Sequence, residues 1–228
     1  MEYLFQGFIK AIELLLEYDK QTFSVIYATL KVSSYSMVTS LISGIPLGFL
    51  LGYFNFPGKH QIRLVVDTCL ALPTVFIGLL VYSFLSSKGP LGDWELLFTL
   101  PGIAVGQTLL ALPIVIALTA TTVESMDRHL RITLISLGAS RMNLLLSSLW
   151  EVRFGVLAAG LTAYGRVMTE VGVSMMVGGN IKWHTRTITT AIALETNKGL
   201  FSMGIALGLV LIAIAFGVNL SVSFLRKR

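Results

Sequence analysis

The sequence predicts an all-α integral membrane protein, with about five transmembrane helices and a short amphipathic helix ahead of them. Only 13% of the 228 residues are charged and mean hydropathy is +0.79, whereas roughly 25% of residues are charged in soluble domains. Four runs, 32–54, 68–87, 96–123 and 199–225, contain no Asp, Glu, Lys or Arg, and each reaches the about 20 residues that cross a bilayer. A fifth run, 154–176, is interrupted only by Arg166 and Glu170.

The same composition excludes several classes. The net charge of +5 is scattered over the segments between spans, which fits positive-inside sorting better than a nucleic-acid surface. Cys69 is the only cysteine and falls inside a span, so no intramolecular disulfide is expected; His60, His129 and His184 fall in three different loops, a poor basis for a metal site. GxxxxGK[ST], HExxH and GxSxG are all absent, so the chain is not expected to hydrolyse ATP or to act as a common membrane hydrolase.

Taken in order, residues 1–22 form an interfacial segment ahead of a transmembrane domain, 23–228. Phe8 to Tyr18 places Lys10, Glu13 and Glu17 on one helical face, too short a stretch to span and suited to lying in the interface. Close-following acids and the lack of a small-residue cleavage pattern argue against a cleavable signal peptide. In the first span Gly44, Gly48 and Gly52 leave one face nearly bare, with Pro46 between them, and a second helix of the same chain is expected against it. Asn55 to Arg63 is a polar turn, and Arg63 and Asp67 are spaced to pair at a helix mouth. Ser87 to Glu95 is the next turn, with Trp94 at the membrane boundary. Pro101 and Pro113 start or kink the third span.

Residues 124–151 are the longest charge-bearing segment between two spans and must face water. Within 128–146 a short helix is expected, around Leu137-Gly138-Ala139-Ser140-Arg141. In the fourth span a lone charge near the bilayer centre would cost about 2.5–3.5 kcal/mol, so Arg166 and Glu170, four residues apart, are expected to pair. Either the pair only fixes helix packing, or Arg166 serves an anion path and Glu170 balances it when the path is empty. Gly178-Gly179-Asn180 marks a tight turn, Ala191 to Lys198 a short helix, and 199–225 the last span.

With 124–151 cytoplasmic, Lys59, Arg63, Arg128, Arg131, Arg141, Arg153 and Arg226-Lys227-Arg228 lie inside. Lys10, Lys20, Lys88, Lys182, Arg186 and Lys198 lie outside, giving nine cations against six. This bias predicts an external N-terminus and a cytoplasmic C-terminus.

Two stretches resemble a known family. Leu137 to Arg141 resembles the centre of the cytoplasmic coupling loop of binding-protein-dependent ABC importer permeases, although Ile132-Thr133-Leu134 stands where the family has EAA and Trp150-Glu151 where it has Leu-Pro. Gly165 to Gly172, followed by Met176 to Ile181, is similar to the oxyanion branch of those permeases, which carries molybdate, tungstate and sulfate. The run 185–196 and the order of spans look most like tungstate permeases.

The resemblance implies the ABC type I importer permease fold and no cofactor in this chain. ATP and Mg would be bound by a partner ATPase. It also implies a homodimer in a bacterial or archaeal cell (inner) membrane, with two cytoplasmic ABC ATPase subunits and an extracytoplasmic oxyanion-binding protein. Leu137, Gly138, Ala139, Ser140 and Arg141 would couple to the ATPase. Arg166, Glu170, Ser174, Gly178, Gly179, Asn180, Thr185 and Thr187 are the candidate translocation-path residues, Thr189 and Thr190 adding further neutral donors. Hydroxyl and amide groups can replace water around a dianion without holding it too tightly to leave. A non-transporting membrane scaffold and an intramembrane enzyme are the readings from other classes; only Arg166 with Glu170 would serve the latter.

Overall fold

Capping residues, prolines and glycines cut the described residues into eleven helices, which we label in order: α1 (Glu2–Leu16), α2 (Lys20–Tyr53), α3 (Lys59–Leu70), α4 (Thr74–Leu85), α5 (Leu100–Glu124), α6 (Arg128–Ser136), α7 (Arg141–Glu151), α8 (Arg153–Met168), α9 (Gly172–Gly178), α10 (Ile188–Asn197) and α11 (Phe201–Arg226). The computed structural model describes residues 2–226, without the side chains of 2, 128–131, 141 and 221–226. The expected contact by the Arg141 side chain and the terminal Arg226-Lys227-Arg228 charges therefore lie outside what is described. A 3₁₀ turn at Gly92–Trp94 completes the secondary structure, and the described residues hold no strand. Among the described residues three helices, α2, α5 and α11, are long and apolar enough to cross a membrane alone, and the number rises to five where each of the bent pairs α3–α4 and α7–α8 is taken as one span. The all-helical architecture is as the sequence predicts.

The spans differ from the simple apolar runs at three places. α2 begins at Lys20 rather than Val32, because Asp19 caps it by accepting from the Thr22 amide at 2.7 Å and because Lys31 sits over the rings of Tyr27 and Tyr35. Its 34 residues make a helix of about 51 Å, longer than the hydrocarbon core of about 30 Å. The run 68–87 is not one straight helix: α3 and α4 meet at 99°, with Pro73 capping α4 and disfavouring helical backbone at Leu72. The fourth span bends by 56° between α7 and α8, and it breaks again after Met168, before the short α9.

α5 is the hub of the fold, packed against α2, α3, α4, α8 and α9. Its contact with α2 follows the glycine face. A Cβ on Gly48 would lie 2.7 Å from the Ile116 carbonyl oxygen, and one on Gly52 would lie 2.7 Å from that of Ala120. Only the absence of a side chain lets the two backbones approach so closely. The contacts 44 to 115, 48 to 119 and 52 to 123 advance together, so the helices run in the same direction. This is the intrachain packing expected from the sequence.

α1 also has a packing role that its amphipathic pattern did not disclose. It lies along α11, with Ala11 and Leu14 buried against Ala206 and Val210, Gln6 accepting from Ser202 and Tyr3 edge-on to Phe201. Its opposite face, including Leu4, Phe5, Phe8 and Ile12, is exposed and apolar.

Candidate functional site

The break in the fourth span brings together the charges that the sequence marked. Arg166, in the last turn of α8, places Nη1 3.0 Å from Oε2 of Glu170. The other carboxylate oxygen of Glu170 accepts from the Val173 amide at 3.3 Å, satisfying a donor in the first turn of α9, and the Glu170 carbonyl accepts from the Thr189 hydroxyl at 2.9 Å. Glu170 thus holds α8, α9 and α10 to one another from a position that is 3% exposed. The expected pair is present.

The loop from 178 to 190 is built around its threonines. Gly179 and Asn180 take positive φ, as the tight turn requires. Thr185 donates to the Gly178 carbonyl and accepts from the Ile181 amide, closing the turn. Thr187 caps α10 in a reciprocal capping box with Thr190, and Thr29 of α2 accepts from the Ile188 amide at 2.9 Å. Asn180 receives Arg186 Nε on its side-chain oxygen at 3.0 Å and donates its amide to the Thr190 carbonyl.

Of the eight candidate path residues, Glu170, Ser174, Gly178, Thr185 and Thr187 are buried, Asn180 is half-buried, and Arg166 and Gly179 are exposed. The buried threonines shape the loop within the subunit, and Arg166 is the charged group that the site presents.

Other residues join this site that sequence reasoning did not single out. Thr162 and Thr169 are exposed on the same side of α8 as Arg166, at the i, i+4, i+7 spacing of one helical face. That spacing was the available signal, and a polar face at membrane depth suits water or another subunit better than lipid. Gln107, in the middle of α5, reaches across the break with Nε2 3.4 Å from Ser174 Oγ and 3.5 Å from the Val167 carbonyl. Its signal was an amide in the middle of a charge-free run.

At the other end of the bundle, the Leu137 to Ser140 segment is a helix stop followed at once by a helix start. Gly138 has φ +75°. Its amide donates to the Ile135 carbonyl and that of Ala139 to the Leu134 carbonyl, the pair of bonds by which a left-handed residue closes a helix. Ser140 then caps α7 by accepting from the Asn143 amide at 3.2 Å. Two helices therefore stand where one short helix was expected, meeting at a fixed elbow. Ile132, Ile135, Leu137, Met142, Leu146 and Trp150 are all exposed on this elbow and its flanks, and apolar exposure of that extent marks an interaction surface.

The root of the elbow is tied down by charge. Glu124, at the end of α5, lies 3.1 Å from Lys59 Nζ and 3.7 Å from Arg63 Nη1, and Arg63 also reaches Asp67 at 3.2 Å, as its spacing predicts. The described residues contain no cluster of three or more His, Cys, Asp or Glu side chains able to hold a metal.

Comparison with known proteins adds the lineage. Residues 44–228 match the family described as binding-protein-dependent transport system inner membrane component. The chain is 49% identical over 219 residues to the tungstate uptake system permease protein TupB of Campylobacter jejuni, covering 96% of this chain and 92% of that one. It is 36% identical to the protein of the same name from Peptoclostridium acidaminophilum, covering 96% of each. Among solved structures, an inward-facing form of the MetNI methionine ABC transporter superposes with a TM-score of 0.73 at 15% identity, covering 91% of this chain and 95% of that one. At that identity the likeness is one of fold.

Proposed function

Because the chain belongs to the binding-protein-dependent transport system inner membrane component family, whose members are multi-pass membrane permeases, we propose that it forms the translocation path of an ATP-driven tungstate importer. The observation that carries the substrate is the 49% identity, over nearly the whole chain, to a relative named for tungstate uptake. The site is consistent with that cargo. A half-exposed guanidinium sits beside a buried carboxylate at a break in the fourth span, where it can attract a dianion while its charge remains balanced. Asn180, which gives one of its two amide hydrogens to the Thr190 carbonyl, offers a neutral donor that can stand in for water without trapping the anion.

In this reading two copies of the chain enclose the path, and two cytoplasmic ATPase subunits bind ATP with Mg and press on the apolar elbow around Gly138. A binding protein delivers the anion from outside. Rigid helices α6 and α7 then pass the motion to the spans. The cation count supports an external N-terminus and a cytoplasmic elbow.

The test is uptake into liposomes holding the chain with its ATPase, supplied with the binding protein and a mixture of tungstate, molybdate and sulfate. ATP-dependent accumulation of tungstate ahead of the other two is expected. Preference for molybdate or sulfate would reassign the cargo, and no uptake of any oxyanion would overturn the importer reading in favour of a scaffold.

A further inference from the structure

A cavity separate from the fourth-span charge pair lies where the first turns of α2 and α11 meet the end of α10. Its volume is about 390 Å³, within the range of roughly 300–1,000 Å³ typical of small-ligand sites. Lys182, Arg186 and Lys198 line it, facing Asp19 and Glu195, and Val25 and Leu207 form part of an apolar floor. On the orientation that the charge count favours, this is the external side.

The charges in the cavity are unequally used. Lys198 is held by Glu195 at 2.8 Å, and Asp19 is occupied in capping α2. Lys182 and Arg186 make no ion pair among the described residues: Lys182 Nζ lies over the Trp183 ring, 5.3 Å from its centroid, and Arg186 is oriented by two hydrogen bonds to Asn180, at 3.0 and 3.3 Å. An arginine whose plane is fixed by a neutral partner keeps its full charge and further donors for a ligand, and its fork matches an oxyanion. Two unpaired cations beside a third therefore create a local demand for negative charge, while the carboxylates of Asp19 and Glu195 keep that demand moderate.

We propose that this cavity is a binding site for a tetrahedral oxyanion, held by Lys182 and Arg186 with help from Lys198. Two sources supply that chemistry: the transported anion arriving from outside, and the phosphate of a membrane lipid whose tail would lie over the apolar floor. With the first, the site deepens the transport reading and rests on it for the sense of movement. The anion would pause here before reaching Arg166, and the opposed carboxylates would ease its departure.

The experiment uses the full permease–ATPase complex in lipid nanodiscs without the binding protein, comparing wild type with Lys182→Gln. Lys182 is exposed, with its Nζ over the neighbouring Trp183 ring and no ion pair among the described residues, so the variant is expected to keep its unfolding midpoint. Tungstate binding is measured by equilibrium dialysis, and retained phospholipid by native mass spectrometry. Saturable tungstate binding that weakens roughly tenfold in Lys182→Gln, as expected for loss of one charge-assisted contact, supports the site with free oxyanion as its occupant. Phospholipid retained by wild type and lost from the variant supports it with lipid phosphate instead. If Lys182→Gln changes neither quantity, the proposal is overturned. Uptake is measured on the same purified complex reconstituted into liposomes and supplied with the binding protein. Wild-type binding without uptake would sink the transport reading and leave the site, whereas uptake without Lys182-dependent binding would sink the site and leave transport.

Discussion

Arg166 and Glu170 meet at 3.0 Å, yet their side chains are 45% and 2% exposed respectively. The pair is therefore unequal. Glu170 also holds the Val173 amide, and its backbone holds Thr189, so it is part of the joint between α8, α9 and α10, whereas Arg166 has the carboxylate as its side-chain partner and is otherwise exposed. Glu170→Gln is expected to lower stability by about 1–3 kcal/mol, the range for weakening a buried charge-assisted hydrogen bond, and to leave Arg166 unbalanced. Arg166→Gln is expected to reduce tungstate uptake with a smaller loss of stability. Thermal unfolding in detergent and liposome uptake, run on both variants, separate the two. The inequality also sets what exchanging the two residues should do: an arginine at 170 cannot accept from the Val173 amide, so the exchanged pair is expected to fold poorly.

The elbow at Gly138 gives a second expectation. Nothing lies within 4 Å of a Cβ added there, but φ is +75°, so the obstacle to a side chain is backbone conformation, costing about 1–2 kcal/mol. Gly138→Trp adds bulk on an exposed apolar surface as well. It is expected to insert into the membrane normally and to lose co-purification with the ATPase. Ser140→Ala removes the cap of α7 at a cost of about 1 kcal/mol and is expected to keep the ATPase bound while lowering the anion transported per ATP hydrolysed. Retention of the ATPase by Gly138→Trp at wild-type levels would remove the elbow from the coupling role.

Much of this was legible in the sequence, and the reasons differ by element. The spans were visible because lipid tolerates few charges, and the Arg166–Glu170 and Arg63–Asp67 pairs because a four-residue spacing places two side chains on one helix face. The bend at Pro73 was obscured because the surrounding residues are uniformly apolar, so hydropathy continues smoothly through a change of direction. Lys31 shortened the expected first span because a charge count does not see the two tyrosine rings that accommodate it. Thr185 and Thr187 entered as candidate path donors through the family resemblance and their hydroxyls. Only three-dimensional placement shows their hydroxyls already used in closing a turn and capping α10. Glu124 bridging to Lys59 and Arg63 depends on α3 folding back beside α5, a long-range contact for which local spacing carries no signal.

The seam between α2 and α5 holds another set of expectations. Ser33, Ser36 and Ser40 are fully buried along one face of α2, and their hydroxyl oxygens, like Gln107 Oε1, have no hydrogen-bond partner among the described residues. The bonds from Gln107 Nε2, at 3.4 and 3.5 Å, are at the long limit for a hydrogen bond. Gln107→Leu is therefore expected to change stability by less than about 1 kcal/mol, since a buried acceptor without a partner is removed along with weak bonds. If unfolding shows a loss well above that, Gln107 has a strong partner in the assembled transporter. Such a result would make it a hinge pin for the α8–α9 break rather than a tolerated polar group.

A close backbone approach in that seam sets the sharpest contrast. A Cβ on Gly48 would meet the Ile116 carbonyl at 2.7 Å, the Thr119 side chain at 2.8 Å and the Ile116 backbone at 3.1 Å. Two of these contacts are with helix backbone, which cannot rotate aside, so Gly48→Ala must push α2 and α5 apart. Overpacking of this kind costs typically about 1–3 kcal/mol. Gly165 sits in α8 with nothing within 4 Å of an added Cβ and without a positive φ, so Gly165→Ala adds a better helix former, favourable by up to about 1 kcal/mol. Thermal unfolding of the two variants should therefore move in opposite directions. The two helices run in the same direction and meet backbone to backbone, so a wedge at Gly48 also alters how motion at the cytoplasmic end of α5 reaches the outer end of α2. Gly48→Ala is expected to lose uptake even in a lipid composition that restores its stability. Full uptake by stabilised Gly48→Ala would show that the seam is a fixed packing contact that transport does not require to be so close.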